Sequence, residues 1–189
     1  MDNLNLDRVL ARLESDAPEE QAAALDEATA ILKEFGRRLV DRYVRCNDRY
    51  IIAERLFRFG PFVIEPLKEV LSHAEDIELR GLSATVLLYL GDRTGVPMLI
   101  EIIASDETFS TLCLAAGLLA KAQIAEAGDS IIKRLRSLTF TNKLHIREIQ
   151  CLLVALEKLG RTLPIDLVER FQGSEAPWEI QIYLKKPSQ

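Results

Sequence analysis

Four arginines, Arg38, Arg42, Arg45 and Arg49, recur at i, i+4, i+7 and i+11. On one helix that spacing puts four guanidiniums on a single face, a donor array suited to phosphates or to an acidic partner. Asn47-Asp48 reads as a helix break just before Arg49, and Glu34, Asp41 and Asp48 lie close by. The competing expectation is a solvated face laced by i,i+4 ion pairs. A second basic group, Lys133, Arg134 and Arg136, precedes the connection SLTFTNKLH, and Lys143, His145 and Arg147 continue it. Phe140, in the middle of that connection, reads as a contact residue or as a ring folded back onto the adjacent core. In the second case the basic residues offset the negative C-terminal end of a helix.

Other reactive types are thinly spread. His73 and His145 are the only histidines, and neither has a ligand-type partner at metal spacing, so no metal and no cofactor is expected. Cys46, Cys113 and Cys151 are odd in number, far apart, and form no Cys-x-x-Cys pair. Each is expected to serve as a small buried apolar residue, with a reducing cytoplasm as the default compartment. No serine or cysteine has His and Asp at motif spacing, although a triad can assemble across sequence distance. The formal net charge of -5 argues against a broad footprint for nucleic acid or an anionic membrane.

The elements that would carry these residues are helical by composition. Aromatics make up only 6% of the chain while Leu, Ala and Ile abound, which favours helices over sandwiches. A length of 189 residues suits one domain. The opening MDNLNLDRVLARLESD carries charge throughout and lacks the apolar core of a secretory leader. No apolar run approaches the roughly 18 residues needed to cross a bilayer.

The strongest pattern is internal repetition. Arg49, Ala53, Leu56, Phe59 and Gly60 align with Arg80, Ala84, Leu87, Leu90 and Gly91. Ile64, Leu67, Val70 and Leu71 follow onto Val96, Leu99, Ile102 and Ile103, one residue out of phase. Leu82, Ala84, Val86, Leu87 and Leu90 recur as Leu114, Ala116, Leu118, Leu119 and Ala122, and Gly91 becomes Gln123. Leu99, Ile100 and Ile103 recur as Ile131, Ile132 and Leu135, and a further copy runs from Ile146 to Phe171. The period is about thirty residues, the length of a helical hairpin that stacks on its neighbours.

Within each copy a helix closes at Gly91 or Gly160, where positive φ is wanted. Thr94 with Pro97, and Thr162 with Pro164, open the second helix. Asp76 and Ser105-Asp106 mark later helix starts. Ala84 allows close approach of a neighbour, and the stretch LSATVLLYL is apolar nearly all round because both of its faces are to be covered.

The stretch LRGLSATVLLYLGDRTGVPMLIEII resembles the HEAT-like repeat of the short bacterial variety named after phycobilisome lyases. Leu79-Arg80, Leu90-Gly91-Asp92 and Val96-Pro97-Met98-Leu99-Ile100 carry the resemblance, which covers roughly Asn47 to Phe171. It implies an all-α, right-handed superhelix of about four or five helical pairs, with residues 47–171 as clear repeats. Residues 1–46 would then be a cap or degenerate repeat, and 172–189 a cap or tail. It also implies a concave face lined by second helices, with Glu69, Glu101, Lys133, Arg136 and Glu169 on it, docking another protein. Two alternatives stand beside that non-catalytic scaffold: phosphate-backbone binding through the arginine series, and a subunit of a bilin lyase-type enzyme.

Both ends allow two readings. Pro18–Cys46 is a degenerate repeat broken at Phe35-Gly36, or one long helix running through Gly36. In APWEIQIYL, Trp178, Ile180, Ile182 and Leu184 alternate with Glu179, Gln181 and Tyr183, which is strand periodicity. A strand there would need a second strand, for instance from another copy in a homodimer. Otherwise the segment is a short helix or extended cap, with Trp178 covering the last repeat.

Overall fold

The computed structural model describes residues 3–105 and 110–185, and all regular structure among them is helical. The chain divides into two compact units, Met1–Leu67 and Lys68–Gln189. The first contains α1 (Asn3–Leu13), α2 (Pro18–Arg45), α3 (Arg49–Leu56) and a 3-10 stretch, Phe57–Val63. The division falls inside α4 (Ile64–His73). The second unit continues with α5 (Ile77–Tyr89), a 3-10 turn at Arg93–Gly95, α6 (Val96–Ala104), α7 (Leu112–Lys121) and α8 (Ala127–Ser137). It ends with α9 (Lys143–Lys158), α10 (Ile165–Gln172) and α11 (Trp178–Lys185).

In the first unit α2 runs unbroken through Gly36. Glycine stays because a Cβ there would lie 2.3 Å from the carbonyl oxygen of Phe62, so the 57–63 stretch crosses directly against the helix. Phe35-Gly36 is therefore a packing contact and not a helix stop. α2 ends at Arg45, and α3 begins after Asp48, as the Asn47-Asp48 break requires. Arg8 and Arg12 both reach Glu27, tying α1 to α2.

The second unit is built by neighbour-on-neighbour packing. α5 packs on α7 and α7 on α9, while α6 packs on α8, and α11 lies against α9 and α10. Residues Gly81 to Leu88 of α5 are all buried, which accounts for a helix apolar on nearly every side. The polar hydroxyls in that run are satisfied within the helix: Ser83 donates to the Leu79 carbonyl at 2.8 Å and Thr85 to Leu82 at 2.6 Å. Ala84 is fully buried, and the backbone at Gly95 comes so close that a Cβ there would sit 2.7 Å from Ala84.

The helix turns repeat atom for atom. The amides of Asp92, Ile124 and Arg161 donate to the carbonyls of Leu87, Leu119 and Leu156, and those of Gly91, Gln123 and Gly160 donate to Leu88, Ala120 and Glu157. This is the Schellman pattern three times over. The residue at its left-handed position is Gly91 (φ 87°), Gln123 (φ 54°) or Gly160 (φ 65°). The alignment of Gly91 with Gln123 thus marks a backbone position that a non-glycine residue occupies once. Asp76 caps α5 by accepting from the amides of Glu78 and Leu79. Asp92, and not Thr94, caps the next turn, accepting from the Thr94 amide at 2.8 Å. Hydrogen bonding from Thr94 and the ammonium of Lys68, 2.9 Å away, hold the Asp92 carboxyl down to about 2. Ser105 closes α6, and its expected partner in a helix start, Asp106, lies outside the described residues.

Trp178–Lys185 is a helix, so the strand reading fails. Ile180, fully buried, docks it, while Trp178 stays 68% exposed.

The two kinds of glycine separate in a denaturation experiment. Nothing lies within 4 Å of a Cβ at Gly91, so Gly91→Ala costs only the left-handed backbone preference, about 1 kcal/mol. Gly95→Ala must push Ala84 aside and costs more than Gly91→Ala in urea unfolding; equal losses would mean that the 84–95 contact is slack.

Candidate functional site

Each short helix ends with carbonyls that lack an intrahelical donor. In the second unit, arginines from neighbouring elements supply the missing donors. Arg80 of α5 donates its Nε to the Leu71 carbonyl at the end of α4 (3.1 Å). Arg134 of α8 donates Nη1 to the Ser105 carbonyl at the end of α6 (2.6 Å). Arg170 of α10 donates to the carbonyls of Leu135 (3.1 Å), Arg136 (3.2 Å) and Leu138 at the end of α8. Arg134 and Arg170 hold matching places in their helices, three residues after Ile131 and Leu167 and one before Leu135 and Phe171.

Arg134 is thus no part of a surface cluster. It is 2% exposed and pairs with Glu148 of α9, Nη2 to Oε2 at 2.9 Å. Its Nε and the Glu148 Oε1 have no hydrogen-bond partner among the described residues. A charge buried this way is tolerable only while its counter-ion stays in place.

Arg170 organises an open groove that Phe140 and Glu169 help to line. Its guanidinium lies 5.1 Å from the Phe140 ring and 5.4 Å from the Phe171 ring, and the two rings meet edge to face at 5.9 Å. Phe140 has folded back onto the core. The α8–α9 connection is fixed further by Thr139, whose amide and hydroxyl both meet His145 Nδ1, and by Asn142, which caps α9. Gln181 of α11 donates to the carbonyls of Gly173 and Ala176, setting the far wall. Between these walls lies a groove of about 700 Å³ lined by Thr139, Phe140, Thr141, Glu169, Ser174 and Glu175, among others. With the Arg170 donors turned to backbone, its exposed chemistry is two carboxylates and three hydroxyls.

The remaining expected residues are placed as follows. Glu69, Glu101, Lys133 and Glu169 are exposed on α4, α6, α8 and α10. Arg136 is exposed but engaged, forming a two-pronged bridge to Asp166 of α10 at 3.0 and 3.3 Å, which holds that carboxyl below its ordinary value. Of the arginine series, Arg38, Arg42 and Arg45 share α2, whereas Arg49 starts α3 and donates to the Cys46 carbonyl. Arg38 and Arg37 both bind Glu34, and together they hold its carboxyl down to about 2, Arg37 contributing most. The exposed remainder is Arg42 and Arg45. Among the described residues, no three His, Cys, Asp or Glu side chains gather as metal ligands would.

Cys113 and Cys151 are not isolated. They lie on two packed helices, α7 and α9, and both are partly exposed. Interaction with Cys113, helped by the nearby Arg147, brings Cys151 down to about 7, while interaction with Cys151 and burial push Cys113 up. Comparison with protein-family models, curated proteins and solved structures returns no match.

Removing one partner of the buried pair tests the framework. Glu148→Ala strands the Arg134 guanidinium and is expected to cost about 3–5 kcal/mol in urea unfolding. Arg134→Met combined with Glu148→Leu should recover most of that loss; a double variant no better than the single would show that the pair acts chiefly through its bond to Ser105.

Proposed function

We propose that Lys68–Gln189 is a HEAT-like solenoid segment that docks another protein along the exposed faces of its second helices, α4, α6, α8 and α10. Support for the solenoid comes from the serial packing of α5, α7 and α9, the serial packing of α6 on α8, and the threefold recurrence of one turn. Support for docking comes chiefly from the groove beside Glu169. It is preformed, because Arg170, Phe140 and Gln181 hold its walls through contacts made inside the unit. Its two carboxylates and flanking hydroxyls suit a peptide segment bearing Lys or Arg. Exposed Glu101 and Glu69 extend the same acidic character to other second helices.

The test is affinity capture from native lysate by wild-type protein beside a Glu169→Lys/Glu175→Lys variant. A partner retained by the first, lost with the second and released by moderate salt is the expected result. Equal capture by both would remove the groove from the reading. The phosphate alternative is addressed in parallel with duplex DNA at low salt: no mobility shift is expected. A shift that weakens with Arg42→Ala/Arg45→Ala would favour that alternative instead.

A second reading concerns a second copy of the chain. Trp178 and Ile182 stand one turn apart on α11 and are 68% and 48% exposed. Two such faces meeting would bury a Trp anchor of the kind that dominates interfaces. Sedimentation equilibrium should then show a dimer that Trp178→Glu dissociates; a monomer at all concentrations would end this reading.

A further inference from the structure

One face of α2 lies open to solvent although it is built like a contact. Ala22, Leu25, Thr29 and Leu32 follow one another at spacings of three, four and three residues, the spacing of a coiled-coil seam. All four are exposed, Leu25 by 57% and Leu32 by 45%. On one edge the exposed Phe35, its ring 5.8 Å from that of Phe59, widens the apolar strip. On the other edge run Glu19, Asp26 and Lys33, each seven residues from the next. These three are exposed as well, and among the described residues none of them stands in an ion pair. We propose that this face of α2 is an interface between two copies of the chain, joined antiparallel about a two-fold axis.

Three features of the face fit a second copy of itself. The first is size. An antiparallel seam sets the first position of one helix's repeat against the second of the other's, so each leucine meets a small side chain: Leu32 meets Ala22, and Leu25 meets Thr29. A parallel pair would set leucine on leucine and alanine on alanine, crowding one layer and leaving the next hollow. The second feature is charge. In the antiparallel register Lys33 of one copy falls between Glu19 and Asp26 of the other, twice over by symmetry, so charges that lack a counter-ion in the single chain gain one. The third is length. With Ala22 opposite Leu32, Pro18 falls opposite Gly36, the next residue of the stripe, where the Phe62 carbonyl already occupies the face. The second copy's helix therefore begins where the 57–63 stretch takes over.

Sedimentation equilibrium of the full chain tests this, with circular dichroism to check that each variant keeps its helices. The wild-type chain should be a dimer, and Leu25→Glu/Leu32→Glu a monomer at the same concentrations. Lys33→Glu should weaken the dimer roughly tenfold, and adding Glu19→Lys and Asp26→Lys to it should restore the wild-type association. Trp178→Glu should leave this dimer intact. A wild-type chain that is monomeric at every concentration, or a dimer indifferent to Leu25→Glu/Leu32→Glu, would overturn the proposal. A dimer that only Trp178→Glu dissociates would belong to the α11 face and overturn it equally. Failure of the reversed charges to restore association would overturn the antiparallel order. Should the leucine variant lose helix, the charge series decides the matter by itself.

Discussion

A short helix cannot satisfy its own last carbonyls, and a chain made of many short helices meets that deficit at every turn. In Lys68–Gln189 two devices meet it. First helices close on themselves through the Schellman turns at Gly91, Gln123 and Gly160. The ends of α4, α6 and α8 borrow a guanidinium from elsewhere in the unit: Arg80, Arg134 and Arg170. The second device requires that a neighbour be present. Hydrophobic contact between leucines would hold adjacent hairpins together at many angles and registers; a guanidinium aimed at particular carbonyl oxygens selects among them.

The same requirement explains the groove. Arg170 could have served as an anion-binding residue had its donors been free. Its Nη atoms instead address Leu135, Arg136 and Leu138, and its charge lies over the rings of Phe140 and Phe171. A cation used this way leaves Glu169 and Glu175 to set the character of the opening. The groove is acidic because the nearest arginine points inward.

Much of the helical framework was legible, and the reasons it was legible are local. Glycine at a helix end carries its own conformational signature, so Gly91 and Gly160 could be read directly, and spacing then exposed Gln123 as their counterpart. Asp76 and the Asn47-Asp48 break are likewise short-range signals. Gly36 was ambiguous because a helix-interior glycine and a helix-stop glycine look alike until the Phe62 carbonyl is seen against it. The segment from Trp178 was ambiguous for a geometric reason: residues four apart share a face in a strand and in a helix alike. The groove was not legible at all. Arg134 and Glu148 look like surface charges in sequence, and only the stacking of α8 on α9 buries them.

Short helices packed in series share a hazard, since each offers its neighbours much the same oily surface and a misplaced one can settle comfortably. The Arg134–Glu148 pair removes that comfort at one joint. Packed on a helix without Glu148, the guanidinium would be stripped of water with no carboxylate to meet it. An ion pair that adds little to the strength of the finished stack can still dictate the order in which its pieces come to rest.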